Sequence, residues 1–276
     1  MGTEAAPTVA SASPRQRGPI PTLDADLILE AGLQIAARQD GTAVSVRELG
    51  AALGCDPTAI YRYFRSKDAL MCALLDRLMG MALERVRTPP AKWREYLVEL
   101  ADHSLNIFTE YPAISIEAAR LTSGGEAELA TVEGILTAFR AAGLTGDDLV
   151  QHYGMFSGIG ISFCVSIAHG RSTSEKKGAN APYTGLWLDR PFATSAAKNP
   201  EVTQMRDALQ GLHDREILRG LTTLILDSAE RIGAERINTE RINTERINTE
   251  RINAERISTE QSVTEHVNAE QSSARS

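Results

Sequence analysis

The sequence predicts an all-α protein, and three patterns support this fold class. Apolar residues recur every three or four positions in most segments between residues 23 and 229, which is the spacing of one helix face. Residues that typically begin helices, such as Ser and Asp, and residues that end them, Gly and Pro, stand between these segments. The apolar-polar alternation of strands does not compete with this pattern. We therefore expect an N-terminal three-helix domain with a helix-turn-helix, joined to a larger C-terminal helical domain.

Composition and helix breaks divide the chain into four parts. Residues 1–21 are rich in Ala, Ser, Thr, Pro and Gly, so we expect a disordered arm. Residues 22–87 carry the helix-turn-helix domain and a connecting helix, and residues 88–229 form the larger domain. Residues 230–276 are a low-complexity tail of five-residue repeats such as TERIN. Isoleucines five positions apart form no stripe on a helix, so we expect this tail to be exposed and either partly helical or disordered.

The helix-turn-helix lies in the stretch SVRELGAALGCDPTAIYRYFRSK, residues 45–67. Ser45 and Glu48 have the spacing of a capping box, which predicts the start of a first short helix. Gly54 can end that helix in a left-handed conformation, and Asp56 then caps a second helix that has proline in its first position. A short helix, a glycine turn and another short helix are the parts of a helix-turn-helix.

The run from Thr22 to about Leu78 resembles the DNA-binding domain of the TetR family of bacterial transcriptional regulators. The resemblance rests on an amphipathic helix that ends at Asp40-Gly41, on VRELGAALG, and on the aromatic-x-aromatic-Phe-x-x-Lys-x-x-Leu order of YRYFRSKDAL. It implies a homodimer whose recognition helices enter successive major grooves of operator DNA, with a helical ligand-binding and dimerisation domain behind them. The arginines of the N-terminal arm would then either stay solvated or enter the minor groove.

The function that this resemblance implies is transcriptional repression, with a small-molecule ligand that releases the protein from its operator. Activation instead of repression stays open at this point. A helical interaction module that regulates through a protein partner, without a small-molecule inducer, is the alternative from a different class. Binding of operator DNA that weakens with salt would separate the two.

Any affinity for DNA must be local, because the net charge of −7 argues against binding through overall charge. The candidate DNA contacts are seven residues of the motif: Arg47, Thr58, Ala59, Tyr61, Arg62, Tyr63 and Lys67. Ile60 and Phe64 should face inward on the second helix, which leaves the residues around them exposed. We expect Arg47 and the Tyr-Arg-Tyr run to face the major groove, and Thr58 and Lys67 to hold phosphates.

The segment from residue 149 to 168 carries no Asp, Glu, Lys or Arg. It is long enough to span a bilayer in principle, but its polar residues and the lack of a flanking basic cluster argue against a membrane protein. We expect a helix buried both against its own domain and against a partner chain, with three glycines that allow close approach. A last folded helix over residues 201–229 would complete a dimeric four-helix bundle.

A ligand pocket inside the helical domain is implied by the family resemblance, and we expect an apolar or aromatic ligand. Aromatic residues are candidates for its wall, with a histidine for a polar contact. Ordinary packing in the core is the alternative role of each. The candidates are Trp93, His103, Phe108, Phe139, His152, Tyr153, Phe156 and Phe163.

Enzymatic, metal-binding and secreted classes find little support in the sequence. The histidines and cysteines lack the spacing of a metal site, and no serine lies in a GxSxG turn, so we expect no enzyme, metal or cofactor. Cys55, Cys72 and Cys164 are expected to be reduced, buried thiols, with redox sensing by Cys55 as the alternative. The N-terminus does not resemble a signal peptide, which predicts a cytoplasmic protein.

Overall fold

The computed structural model of the chain describes residues 23–37, 43–174, 198–210 and 214–273, and within these ranges it does not describe the side chains of 171–174, 210, 214, 258 and 260–273. Regular structure in these ranges is helical, which confirms the predicted all-α class. A 3-10 turn spans Ile116–Ala119. The helices are α1 Ala25–Ala36, α2 Val46–Leu53, α3 Pro57–Ile60, α4 Lys67–Arg85, α5 Trp93–Glu110, α6 Pro112–Ser115, α7 Glu126–Ala141, α8 Gly146–Ser174, α9 Pro200–Gln210 and α10 Asp214–Ser273.

The first three helices pack around a small core that they share with α4. The Asp24 side chain caps α1 by accepting a hydrogen bond of 2.8 Å from the backbone N–H of Leu27. Ile28 of α1, Leu49 of α2 and Ile60 of α3 are buried together with leucines of α4. Burial of these side chains orients α2 and α3 with respect to the long helix that follows.

Helix α4 belongs to both parts of the chain. Leu70, Leu74 and Leu78 are almost completely buried, and the core that they belong to continues into α5, α6 and α8. Behind it, α5, α7, α8 and α10 enclose a second core around Leu97, Phe139 and other apolar residues. The helix-turn-helix therefore rests on the larger domain through a continuous apolar contact, and α4 is the helix through which a movement of either part would reach the other.

Several predicted helix boundaries are confirmed, and others differ. The sequence predicts α5 from residue 93 to 110, and the structure has these bounds. Pro112 was expected to stop the helix before it, and it does so while occupying the first turn of α6. The predicted helix from 113 to 121 is instead α6 followed by the 3-10 turn. Leu129, predicted to pack inward, is 65% exposed on α7.

The predicted helix over residues 201–229 corresponds to α9 and the first part of α10, so its described residues are helical. Helix α9 ends at Gln210, α10 begins at Asp214, and residues 211–213 lie outside the described part of the chain. The expectations for the arm at 1–21 and for the end of the first helix at 38–40 also fall outside it. Within the described residues, no helix has an apolar stretch long enough to cross a membrane.

The folded body extends further into the repeats than the predicted boundary at residue 229. Gly233 is buried against the turn between α7 and α8, and a Cβ there would overlap the carbonyl oxygen of Ala142. The guanidinium of Arg236 bonds the Thr145 hydroxyl and, at 2.7 Å, the carboxylate of Asp148. From residue 237 to 257 the tail is an exposed helix, as the unaligned isoleucines predicted: Ile237, Ile242, Ile247, Ile252 and Ile257 are 52–60% exposed.

Candidate DNA interface and ligand cavity

The helix-turn-helix follows from three caps that the sequence specifies. The Ser45 hydroxyl accepts a hydrogen bond of 3.2 Å from the backbone N–H of Glu48 and begins α2. Gly54 ends α2 with φ of +65°, a conformation in which a side chain would be strained. Asp56 begins α3, and its carboxylate accepts from the Thr58 N–H at 2.8 Å and from the Thr58 hydroxyl at 2.6 Å. These bonds lower the pKa of Asp56, so the cap stays ionised at neutral pH.

Helix α3 is shorter than a typical recognition helix, because it ends at Ile60. Irregular backbone bonds continue the turn, with the N–H of Arg62 donating to the carbonyl of Ala59 and that of Phe64 to the carbonyl of Ile60. The buried Ile60 and half-buried Phe64 face inward as predicted. The Tyr-Arg-Tyr run is thereby directed outward, with Tyr61 exposed by 47%.

Four of the seven predicted DNA contacts, Arg47, Tyr61, Arg62 and Lys67, are exposed side chains of the α2–α4 segment. The hydroxyls of two others form hydrogen bonds within the protein. The Thr58 hydroxyl is engaged by the Asp56 cap, and the Tyr63 hydroxyl donates to the backbone carbonyl of Leu23. Tyr63 therefore ties the motif to the start of α1. Ala59 is half-buried and contributes shape rather than a polar group.

Lys67 is the first residue of α4, directly after the Ser66 cap, whose hydroxyl accepts a hydrogen bond of 3.0 Å from the backbone N–H of Ala69. The adjacent Asp68 is paired with Arg120 at 2.9 Å, and this bond lowers the pKa of Asp68. The negative charge next to Lys67 is thus offset by a guanidinium from the larger domain. An ammonium and a positive helix end meet at this position, which suits a phosphate.

A cavity lies in the larger domain between α4, α5, α7, α8 and α10. The volume of this cavity is about 90 Å³. The wall is mostly aliphatic, and α4 contributes one residue, Met79. The lining residues are Met79, Leu100, Ala101, Ser104, Phe108, Thr131, Ile135, Phe156, Ser157, Ile159, Gly160, Ile161, Cys164, Leu218, Leu221, Thr222 and Ile225.

Two of the predicted pocket residues, Phe108 and Phe156, line this cavity. Phe139 is instead buried in the second core, where its ring meets that of His152 edge-to-face at 5.8 Å. The ring nitrogens of His152 lie 2.7 Å from the carbonyl oxygen of Asp148 and 3.2 Å from the hydroxyl of Ser228. This buried histidine is therefore held by the protein itself and has a structural role.

The remaining predicted pocket residues lie elsewhere. Trp93 packs at the edge of the second core with the guanidinium of Arg94 5.8 Å from its ring centre. His103 and Tyr153 are half-buried without reaching the cavity wall, and Phe163 lines a groove on the outer side of α8. Sequence reasoning selected aromatic residues, whereas the wall consists largely of residues that carry no special signal in a sequence.

A cluster of polar contacts joins α4 to the start of α7. The carboxylate of Asp76 accepts hydrogen bonds from the Ser123 hydroxyl at 3.0 Å and from the backbone N–H groups of Glu128 and Ala127 at 2.9 and 3.3 Å. Asp76 thus caps α7 from a neighbouring helix. Gly125 is required beside it, because a Cβ there would overlap the Asp76 carboxylate.

We expect Asp76→Ala to destabilise the protein by about 1–3 kcal/mol, because it removes the cap of α7 and leaves two backbone N–H groups without their acceptor. Urea unfolding followed by circular dichroism measures this change. Arg77→Ala, at the adjacent and exposed position of α4, is the control and should unfold at the wild-type midpoint. Equal midpoints for the two variants would contradict the role given to Asp76.

The outer side of α8 is apolar and open. A Cβ at Gly154 or Gly158 would meet no atom within 4 Å, and the groove between them has the exposed Met155 and Ile159 in its wall. On α10, Leu224 is 69% exposed. Large exposed aliphatic side chains on two adjacent helices indicate a surface that another molecule covers.

The three cysteines are free thiols, but only Cys164 is buried as expected, whereas Cys55 and Cys72 are half-buried. Cys164 is buried in the cavity wall, and burial raises its pKa to about 12, so it stays protonated. Cys72 donates to the carbonyl oxygen of Thr122 at 3.3 Å, and its pKa is also raised, chiefly by burial. Among the described residues, no group of three His, Cys, Asp or Glu side chains is arranged to hold a metal ion.

The geometry defines a helix-turn-helix DNA-binding domain on an all-helical body with an internal cavity. Residues 28–74 match the family model of the bacterial regulatory proteins of the tetR family. This domain is therefore a DNA-binding domain of the TetR family, and the resemblance seen in the sequence is confirmed. The match covers the helix-turn-helix, α1 and the first part of α4.

A curated relative and solved structures agree with this assignment. The HTH-type transcriptional repressor DrrR1 of Streptomyces coeruleorubidus is 32% identical over 143 residues, which are 51% of this chain and 53% of that protein. The chain thus matches about half the length of this relative. ActR of Streptomyces coelicolor in complex with actinorhodin has a TM-score of 0.62 at 16% identity, over 77% of this chain and 99% of ActR.

The regulator SCO7222 from Streptomyces coelicolor, described as a TetR, has a TM-score of 0.60 at 15% identity, over 77% of this chain and all of that protein. At such identities the likeness establishes the fold. The described helices as a whole therefore have the fold of TetR-type regulators, including the larger domain that the family model does not cover.

Proposed function

We propose that the protein is a sequence-specific transcriptional repressor that a small molecule releases from its operator. The observation that carries this proposal is the exposed set Arg47, Tyr61, Arg62 and Lys67 on a capped helix-turn-helix of the TetR family. The relative DrrR1 is named a transcriptional repressor, which favours repression over activation. The DNA that it binds places the protein in the cytoplasm of a bacterial cell, and no catalytic role is part of the proposal.

In this proposal Arg47, Tyr61 and Arg62 contact the bases, and Lys67 binds a phosphate. An arginine can bind guanine through two hydrogen bonds, and a tyrosine can contact base edges through its ring and hydroxyl. Tyr63 acts as a positioning residue, because its hydroxyl is bonded to the backbone of α1. The bonds that Asp56 makes to Thr58 give Thr58 the same role.

The functional unit is a homodimer formed through α8 and α10. The glycine-containing groove of α8 and the exposed Leu224 on α10 supply apolar surface on the two helices that the four-helix arrangement needs. Two helix-turn-helix domains would then lie about one turn of DNA apart, roughly 34–36 Å, and bind a palindromic site.

Ligand-induced release acts through α4. Met79 of α4 lies in the cavity wall, while Lys67, the first residue of this helix, is the proposed phosphate contact. A ligand that shifts α4 at Met79 would therefore also shift the DNA-binding domain. ActR, which shares this fold, was solved in complex with actinorhodin, and this favours a ligand-responsive function. A hundredfold loss of operator affinity requires about 2.7 kcal/mol of coupling.

The experiment that tests this function measures binding of the purified protein to the promoter next to its own gene. Fluorescence anisotropy over a salt series should give an affinity for this promoter at least a thousandfold tighter than for random DNA, and a steep salt slope. When an extract of the source cells is added to the same assay, the protein should be released from the promoter. Equal binding to promoter and random DNA would favour a module that acts through a protein partner.

Truncation of the tail separates the folded body from the repeats. We expect a chain that ends at residue 240 to keep the wild-type stability and dimeric state, since the segment beyond it is an exposed helix. A chain that ends at residue 229 lacks Gly233 and Arg236, and its free energy of unfolding should be lower by about 1–3 kcal/mol. Thermal unfolding and sedimentation measure both. If the chain that ends at residue 240 is a monomer, the repeats hold the dimer together.

A further inference from the structure

We infer that the cavity takes a small uncharged molecule of about one ring, with an oxygen that hydrogen-bonds the Ser157 hydroxyl. The inference names the ligand class of the proposed repressor and depends on that function only for the consequence of binding, which is release of DNA. Binding itself can be measured without an operator.

The cavity wall carries no charged side chain among the described residues, and this limits the charge that a ligand can have. Every described residue that lines the cavity is apolar or carries a neutral hydroxyl or thiol. The raised pKa of Cys164 is a sign of the same apolar surroundings. A carboxylate or an ammonium on the ligand would lose its hydration without gaining a partner of opposite charge, so ionic ligands are excluded.

The polar groups of the wall set the second limit. The Thr131 hydroxyl already donates to the carbonyl of Ala127 at 2.8 Å. The Ser157 hydroxyl, by contrast, is buried and has no hydrogen-bond partner among the described residues. A buried hydroxyl without a partner is unfavourable, and a ligand oxygen beside it would remove that cost. A hydroxyl or carbonyl group on an otherwise apolar ligand meets this requirement.

The volume of the cavity limits the size of the ligand. The cavity of about 90 Å³ is smaller than the roughly 150 Å³ cavity that holds benzene in an engineered protein, but several times the space that one water needs. A single ring therefore fits only if the wall moves outward, and Met79 is a flexible part of that wall. A ligand slightly larger than the empty cavity is also what a switch through α4 requires, because its binding favours the displaced position of the helix.

Calorimetry with three matched probes at pH 7 tests the inference: para-cresol, para-xylene and para-toluate. The first two have nearly the same shape and differ by a hydroxyl in place of a methyl group, and the third is an anion. We expect para-cresol to bind with one molecule per chain and para-toluate to bind at least thirtyfold more weakly. Comparable binding of the anion would overturn the claim that the ligand is neutral.

The variant Ser157→Ala tests the hydrogen bond. It should lower the affinity for para-cresol by about three- to tenfold and leave that for para-xylene unchanged or higher, since alanine is more apolar. Thr137→Ala, at an exposed position of α7 away from the cavity, is the matched control and should change neither. If Ser157→Ala affects both probes alike, the hydroxyl is satisfied in another way and the inference is wrong.

The variant Gly160→Leu locates the binding site. Gly160 lines the cavity, and an added Cβ would meet no atom within 4 Å, so the first carbon of a leucine side chain fits there, and leucine has the better helix propensity. Circular dichroism should confirm a folded protein, and binding of para-cresol should fall more than tenfold. Unchanged binding would place the probe elsewhere and overturn the inference.

Failure of the inference and failure of the proposed function give different results. If the operator is bound specifically but para-cresol does not bind at millimolar concentration, the ligand class is wrong and the DNA-binding function is unaffected. If para-cresol binds with the expected dependence on Ser157 but no specific DNA site exists, the ligand class is right and the proposed function fails.

Discussion

Lys67→Ala should weaken binding to every DNA sequence by about tenfold to a hundredfold, because a dimer loses two phosphate contacts at once. Lys67 is the exposed first residue of α4, and its neighbour Asp68 is held by Arg120, so no competing pair with Asp68 is expected to restrain its ammonium. The slope of log affinity against log salt should fall by about two for the dimer. The Ser66 cap is retained, so the fold should be unaffected.

Arg62→Ala should behave differently, since a base contact carries sequence information. We expect a loss of about 1–3 kcal/mol on the best site, a smaller loss on random DNA, and relaxed preference at one position of each half-site. Anisotropy with a set of single-base operator variants measures this for both mutants. Arg77→Ala, which lies on α4 away from the motif, is the control. If Lys67→Ala and Arg62→Ala both bind the operator as wild type does, the assignment of the DNA contacts is wrong.

Gly233→Ala should destabilise the protein by roughly 2–4 kcal/mol, although alanine favours helices. Gly233 lies in α10, where it packs against the turn between α7 and α8, and the new Cβ would overlap the carbonyl oxygen of Ala142. Backbone atoms cannot rotate away as a flexible side chain can, so α10 must move outward. That movement would also pull Arg236 from Asp148, to which it is bonded at 2.7 Å.

Gly220→Ala is the matched control for this prediction. It lies on the same helix, and an added Cβ there would meet no atom within 4 Å. This variant should therefore be neutral or stabilising by up to about 1 kcal/mol, the intrinsic preference of a helix for alanine. The two substitutions are chemically identical, so opposite shifts of the urea midpoint isolate the packing at Gly233. Equal shifts would mean that α10 is not docked there.

Local structure could be read from the sequence where a few adjacent residues determine it. The caps at Ser45 and Asp56 and the left-handed Gly54 all occur as predicted, because each depends on bonds within one helical turn. The bounds of α5 could also be predicted from the sequence, since a regular apolar period and a following proline define them.

Features that depend on distant contacts were missed or misplaced. The repeats from residue 230 look alike in sequence, yet Gly233 and Arg236 contact the start of α8 while later repeats are exposed. The role of Tyr63 depends on a carbonyl forty residues earlier in the chain. Neither partner can be identified from periodicity, which reports only which face of a helix is apolar.

The cavity was the least predictable part. Aromatic residues were chosen because they commonly line pockets. Phe139 and His152, however, pack against each other in the second core, where a ring nitrogen of His152 also contacts the hydroxyl of Ser228. Met79, Ser157 and Gly160, which give the cavity its link to α4, its hydroxyl and its space, are unremarkable in the sequence. Which residues surround an internal space follows from how whole helices pack, and no local pattern encodes that.

Selection of DNA sites from a random pool by the full-length protein shows whether the chain recognises a specific sequence. We expect an enriched palindrome whose half-sites are centred about 10–11 base pairs or a multiple of this apart, and loss of this enrichment for Lys67→Ala combined with Arg62→Ala. Para-cresol or a related neutral compound should reduce the recovery of the site by the wild type but not by Gly160→Leu. A pool that stays random after repeated rounds with folded, dimeric protein would contradict the conclusion that the chain is a sequence-specific DNA-binding regulator.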